Sequence, residues 1–243
     1  MADVYEIVID GKPCEARHGE YLWDVARRNG IQIPALCRHD AFAEHRACCR
    51  ICIVEVITHG RSKVVASCVY PIEGPCEVLT NSPKIADERR VLIALLAARA
   101  PESKAIQAMA ANLNVSDRYD RLKPLDSGKC ILCGLCVQAC ESMGAGAIST
   151  INRGTEKEVN TPYGIASDVC IGCLSCASVC PTGAIEFTED EHTRVIWNRV
   201  FELTHCRICG AILGTKEMGV SDTCDTCRKH AVADSLAQTY RLS

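Results

Sequence analysis

Residues 130–140 read C-I-L-C-G-L-C-V-Q-A-C and residues 170–181 read C-I-G-C-L-S-C-A-S-V-C-P. Each half is C-x2-C-x2-C-x3-C, and the second ends in proline. This spacing holds a pair of [4Fe–4S] clusters: three thiolates on successive turns wrap one cube, and the fourth crosses to the other. The pattern therefore assigns Cys130, Cys133, Cys136 and Cys180 to one cubane and Cys140, Cys170, Cys173 and Cys176 to the second. The rival chemistry is a pair of structural zinc ions. Zinc closes on two C-x2-C arms set far apart, not on three consecutive turns. Side-by-side cubanes relay single electrons, with potentials tuned by hydrogen bonds to sulfur, charge and burial.

Cysteine usage supports a metal-rich chain. Nineteen of 243 residues are cysteine, grouped mostly in C-x2-C units. The start, M-A-D-V-Y-E-I-V-I-D, lacks the basic and apolar regions of a secretory leader. A reducing cytoplasm and metal clusters are expected rather than a disulfide framework. A net charge of −3 argues against non-specific nucleic-acid binding. The longest apolar stretch, V-L-I-A-L-L-A-A at 91–98, is too short to span a membrane.

The pattern along the chain predicts an α+β protein built as metal-stapled modules. V-Y-E-I-V-I at 4–9 alternates and ends in Asp10-Gly11, a hairpin signal into a strand at 14–17. A helix is expected over 20–29, with Gly30 just past its end. Strands follow at 51–57 and 63–69. This is the element order of a β-grasp domain, placed at 1–80. A short helical connector over 81–125 holds one helix at 82–100, capped by Ser82, a second from Pro101 to about Asn112, and a linker at 114–127. A bacterial-type 2[4Fe–4S] ferredoxin domain occupies 126–192, its halves each followed by G-A-I as an internal repeat. The remainder, 193–243, is a small zinc-ribbon-like unit and a helical tail.

Two further cysteine sets stand outside the double repeat. Cys37, Cys49, Cys52 and Cys68 are separated by eleven, two and fifteen residues, a set suited to a [2Fe–2S] rhomb. Cys48 adjoins Cys49, but the x2 spacing to Cys52 selects Cys49 and leaves Cys48 a bystander. Cys206, Cys209, Cys224 and Cys227 form C-x2-C-x14-C-x2-C, which reads as zinc, with a further iron–sulfur cluster or a single rubredoxin-like iron as the alternative. His205 borders this site, which four cysteines already close. Cys14 and Cys76 lack partners at ligand spacing and are read as small buried hydrophobes. Trp23 and Trp197 are read as core or interface residues, and Gly144–Gly146 is too short for a nucleotide loop.

The stretches I-P-A-L-C, C-R-I-C-I-V-E-V and V-A-S-C resemble the N-terminal [2Fe–2S] domain of the largest peripheral-arm subunit of respiratory complex I. The same module occurs in the small diaphorase subunit of NAD-reducing hydrogenases, in iron-only hydrogenases and in NAD-dependent formate dehydrogenases. The double cysteine repeat resembles the ferredoxin domain of the same proteins, so the resemblance covers about residues 1–190. One element departs from it. That family carries a further cubane held by one histidine and three cysteines after a helix ending L-L-A-x-H-P. Here the helix reads L-L-A-A-R-A-P, Arg99 stands in place of the histidine, and no cysteine occurs from 77 to 129. The extra cluster is expected to be missing.

The resemblance implies a non-catalytic, cytoplasmic electron-transfer subunit of a multisubunit NAD(P)H-linked oxidoreductase. Its cofactors would be one [2Fe–2S] cluster, two [4Fe–4S] clusters and one Zn2+. Its implied partners are a flavoprotein subunit that binds FMN and NAD(H) and a terminal metalloenzyme subunit, such as a hydrogenase, a formate dehydrogenase or a low-potential reductase. Electron bifurcation is among the modes this cluster set serves, and membrane association would come only through partners. The chain itself has no G-x-G-x-x-G strand–helix unit and no P-loop. The alternatives are a stand-alone multi-cluster ferredoxin, or an iron–sulfur scaffold or redox sensor. A sensor needs one exposed cluster, whereas a relay needs several.

Overall fold

The computed structural model describes residues 3–115, 122, 124, 125 and 127–241, so most of the expected linker at 114–127 lies outside the described residues. The chain forms two compact units: residues 1–135 with 179–184, and residues 136–178 with 185–243. The segment expected as one ferredoxin domain, 126–192, is thus shared between them.

In the first unit, β1 (Val4–Ile9) and β2 (Lys12–Arg17) form the predicted hairpin. Its two turn residues, Asp10 and Gly11, both have positive φ, as a type I′ turn requires. Helix α1 (Leu22–Arg28) follows, and Gly30 ends it at φ +75°. Strands β3 (Ile53–Thr58) and β4 (Arg61–Ala66) make a second hairpin. The short β5 (Glu77–Leu79) runs parallel to β1 and antiparallel to β3. The sheet order is β2-β1-β5-β3-β4. Leu22, Val25 and Ala26 of α1 join Ile7, Ile9, Val54, Val56 and Val78 in one core. The first unit is thus a mixed α/β body with one helix packed across a five-stranded sheet. Strand β5 escapes the sequence pattern: three residues carry too little alternation to register as a strand.

Helix α2 (Pro83–Arg99) begins where Ser82 accepts a hydrogen bond from the Ile85 amide at 3.3 Å. Helix α3 (Lys104–Asn112) is capped in the same way by Ser103. Arg89 of α2 ties this helix to the sheet. Its guanidinium donates to the Ile51 carbonyl at 3.0 Å, to Ile53 at 2.9 Å and to Thr80 at 3.1 Å. Hydrogen bonds from a charged group are worth about 1.5–3 kcal/mol each, so this contact holds helix and sheet as one body.

Helix α4 (Leu135–Ser142) opens in the first unit at Leu135 and continues in the second. In the second unit, β6 (Ser149–Ile151) pairs with β7 (Glu158–Asn160), and α5 (Ser175–Ser178) follows the second cysteine loop. A four-stranded antiparallel sheet then forms from β8 (Phe187–Glu189), β9 (Thr193–Ile196), β10 (Arg199–His205) and β11 (Ile212–Thr215). The expected boundary at 192/193 falls inside the β8–β9 hairpin. Helix α6 (Asp225–Arg241) ends the described chain. Its start carries Cys227 in the first turn. The second C-x2-C pair of the C-terminal site therefore opens a helix, whereas a zinc ribbon would place it on a second β-turn.

Candidate metal centres

The cysteines expected to hold a [2Fe–2S] cluster lie on the connection before β3 and in the turn after β4. Cys37, Cys49, Cys52 and Cys68 are all buried, at 4%, 2%, 0% and 1% exposure. The Sγ atoms of Cys52 and Cys68 lie 3.4 Å apart. Backbone amides turn toward the sulfurs: Leu36 N–H donates to Cys49 Sγ at 3.4 Å, and Cys49 N–H donates to Cys37 Sγ at 3.5 Å. Hydrogen bonding from the Cys49 thiol holds Cys37 well below the usual thiol range, and the same contact raises Cys49. Such a nest favours negative sulfur, as a cluster requires. Cys48 is exposed and turns its thiol back to the Arg46 carbonyl at 3.6 Å. Arg38, next to Cys37, is buried and ion-paired with Asp24, and stacks 4.2 Å from the Trp23 ring centroid.

The two cysteine repeats share one backbone device. In the first loop, Leu132 (φ +55°) precedes Cys133 and Gly134 (φ +78°) follows it. In the second, Gly172 (φ +64°) precedes Cys173 and Leu174 (φ +61°) follows it. Left-handed residues at matching positions bend each loop so that its amides face inward. The G-A-I repeats have a matching role. Ala147 N–H donates to Cys140 Sγ at 3.1 Å, and Ala184 N–H donates to Cys180 Sγ at 3.2 Å. Each repeat thus satisfies the sulfur of its own crossing cysteine.

Each crossing cysteine is linked electrostatically to cysteines of the opposite loop. Cys180 lies close enough to Cys133, together with Cys130, to raise its pKa electrostatically. Cys140 acts in the same way on Cys170 and Cys176, together with Cys173. Cys130, Cys133 and Cys180 belong to the first unit, and Cys136 begins the second. Burial pushes Cys133 up to about 12 and Cys176 up to about 11, so in the absence of iron both stay protonated at neutral pH. Cluster insertion must expel those protons. The set Cys140, Cys170, Cys173 and Cys176 lines a cavity with Ala147, Ile148, Ile196 and Trp197. Its donor set and amide-directed sulfurs fit a [4Fe–4S] cluster.

The C-terminal set is tighter. The ligand atoms of Cys206, Cys209, Cys224 and Cys227 all lie within 4.8 Å of one another, and Cys209 and Cys224 Sγ are 3.7 Å apart. Tetrahedral thiolates at about 2.3 Å from zinc have edges of about 3.8 Å. A cubane would hold four sulfurs further apart around four metals. Gly210, at φ +74°, turns the first pair. Amides of Cys224, Cys209 and Ile208 point at Cys206 Sγ and lower it to about 6. One rhomb, two cubanes and one zinc on these sixteen cysteines would amount to about ten iron and ten sulfide with about one zinc. Elemental analysis checks this: about fourteen iron without zinc would make the C-terminal site a third cubane.

Cys14 is 4% exposed in the β-grasp core, and Cys76 packs half-buried against that core. Arg99 is the last residue of α2. Sequence reasoning missed Arg89, Arg199 and Trp197. Arginine in a helix or strand reads as solvated surface, and only the fold shows which carbonyls it reaches.

Residues 3–83 match the 2Fe-2S iron-sulfur cluster binding domain, and residues 129–184 match the 4Fe-4S dicluster domain. NADP-reducing hydrogenase subunit HndD of Solidesulfovibrio fructosivorans is 30% identical over 228 residues, covering 82% of this chain and 38% of that protein. NADPH-Fe(3+) oxidoreductase subunit alpha of Geobacter sulfurreducens is 27% identical over 202 residues, 74% of this chain and 24% of that protein. The chain thus spans well under half the length of these two curated relatives. NAD-reducing hydrogenase HoxS subunit gamma of Cupriavidus necator is 26% identical over 230 residues, covering 83% of this chain and 95% of that protein. A solved NAD+-reducing [NiFe]-hydrogenase chain in the H2-reduced state superposes with a TM-score of 0.61 at 24% identity, over 74% of this chain and 86% of that one. No helix among the described residues is long and apolar enough to cross a membrane. The chain carries a 2Fe-2S cluster-binding domain and a 4Fe-4S dicluster domain, and its homologues are iron–sulfur subunits of NAD(P)-linked hydrogenase and oxidoreductase complexes.

Proposed function

We propose that the chain is the electron-relay subunit of an NAD(P)H-linked oxidoreductase in a reducing cytoplasm. It passes single electrons between an FMN- and NAD(H)-binding flavoprotein and a terminal metalloenzyme. In this reading the rhomb is held by Cys37, Cys49, Cys52 and Cys68. One cubane is held by Cys130, Cys133, Cys136 and Cys180, and the second by Cys140, Cys170, Cys173 and Cys176. Zinc at Cys206, Cys209, Cys224 and Cys227 is structural: four thiolates leave no open position for substrate.

One observation carries the relay order. Within the first unit, Cys37 and Cys49 share an apolar cluster with Ile131, Cys133 and Leu135. Arg46, from the loop between Cys37 and Cys49, lies over Gly134 with its Nη1 only 3.3 Å from where a Cβ would stand. Ile93, Ala100 and Ile106 of the α2–α3 region pack into the same cluster. The rhomb and first-cubane loops are therefore immediate neighbours. In this reading no histidine-ligated cubane stands between them, and helices α2 and α3 serve as packing.

The test uses NADH and the flavoprotein subunit that purifies with the chain. The isolated chain should show no cluster reduction by NADH, because it has no dinucleotide loop and no converter of hydride pairs to single electrons. Adding the flavoprotein should reduce the [2Fe–2S] cluster and then the cubanes. Bleaching of the isolated chain by NADH would sink the relay reading. A native monomer with no co-purifying subunit would support the stand-alone ferredoxin instead.

A further inference from the structure

Strands β9 and β10 are joined by a two-residue turn, Trp197-Asn198. Both residues are left-handed, at φ +52° and +60°. Such turns favour Asn-Gly, and a bulky aromatic at positive φ is uncommon. The turn is firmly held. Asn198 Nδ2 donates to the Gly164 carbonyl at 3.3 Å. Arg199 Nη1 donates to the carbonyls of Ser167, Asp168 and Cys170 at 2.9, 2.8 and 2.8 Å. The turn and the Cys170 loop are thereby clamped to each other. The Trp197 ring lines the cavity ringed by Cys140, Cys170, Cys173 and Cys176. Its Nε1 is buried and has no hydrogen-bond partner among the described residues.

A purely packing role does not explain this indole. Phenylalanine would fill the space without burying a donor away from water. The cavity that the ring lines is the one walled by the four cysteines, so a sulfur-rich group held there would meet the unpartnered donor.

We propose that Trp197 is a positioning residue for the second cubane, donating its indole N–H to a sulfur of the cluster held in this cavity and raising that cluster's reduction potential. The inference rests on the assignment of Cys140, Cys170, Cys173 and Cys176 to a [4Fe–4S] cluster. An N–H donor stabilises the more negative, reduced cluster. The second cubane is therefore easier to reduce than it would be without this donor.

The experiment is an EPR-monitored redox titration of the full, cluster-loaded chain and its Trp197→Phe variant. The variant should keep both cubanes while one of the two midpoints falls. The expected size is about tenfold in the reduction equilibrium, which is about 59 mV for one electron. A second measurement does not depend on the variant assembling. In chain labelled with 15N-indole, the reduced cubane should show 15N hyperfine coupling that persists in Trp23→Phe. Two intact cubanes without that coupling, or with unchanged midpoints in Trp197→Phe, would overturn the role of Trp197. Absence of one cubane from the unmodified chain would overturn it differently, by removing the cluster assignment beneath it.

Discussion

Cys49→Ser is expected to abolish the [2Fe–2S] EPR signal, while Cys48→Ser leaves it at full intensity. The two residues are adjacent and chemically identical, so the whole difference comes from where the backbone points them. Ala47 and Arg50 both have positive φ, at +49° and +59°, and bracket the pair. This kinked path buries Cys49 at 2% exposure and turns Cys48 outward. Cys49 Sγ accepts from Leu36 N–H at 3.4 Å, and its own N–H donates to Cys37 Sγ at 3.5 Å. Serine at this position would put a harder, poorly matched oxygen in place of a thiolate. The exposed Cys48 thiol instead donates to the Arg46 carbonyl at 3.6 Å, a role open to a serine hydroxyl as well. Iron should fall by about two per chain in the first variant and not at all in the second. A lost signal in Cys48→Ser with an intact one in Cys49→Ser would move the ligand by one residue.

The parts of this molecule that were legible in the sequence are those fixed by local chemistry. Asp10-Gly11 predicts its own turn, and Ser82 with Pro83 predicts the start of α2. The x2 and x3 spacings foretell which thiols come together, because a cube imposes its own geometry on any backbone that binds it. Cys140 acts electrostatically on Cys170 and Cys176, and Cys180 on Cys133, in keeping with that grouping. What was not legible depends on distant partners. Strand β5 is a strand only because β1 and β3 lie on either side of it. The C-terminal site read as two equivalent knuckles, since C-x2-C looks the same before a β-turn and before a helix. Trp197 read as an ordinary aromatic, because its signal is a backbone φ that no residue name declares.

Gly172→Ala is expected to cost about 2–5 kcal/mol and to strip the second cubane, whereas Leu132→Ala leaves its loop intact. The two positions are equivalent in the internal repeat, and both are left-handed, Leu132 at φ +55° and Gly172 at φ +64°. The backbone conformation alone therefore does not demand glycine. What demands it is the sheet covering the second loop. A Cβ at 172 would stand 2.8 Å from Phe201 Cγ, 2.9 Å from its Cδ2 and 3.0 Å from Thr215 Cγ2. Phe201 is fully buried, and Arg194 and Thr215 hydrogen-bond the Gly172 and Ile171 carbonyls at 2.6 and 2.5 Å. Neither side has room to retreat. The mirror case supports the rule: the other repeat puts its glycine at 134, the position on which Arg46 sits, and leucine at 132. Each loop carries glycine where a neighbour lies on it. Iron should drop by about four per chain in Gly172→Ala, with the first cubane and the rhomb retained. Adding Phe201→Leu should recover part of the loss, because the two residues share one space and their effects will not add. Full iron content in Gly172→Ala would mean that the sheet yields to the extra carbon, and that its packing does not hold the second cluster loop in place.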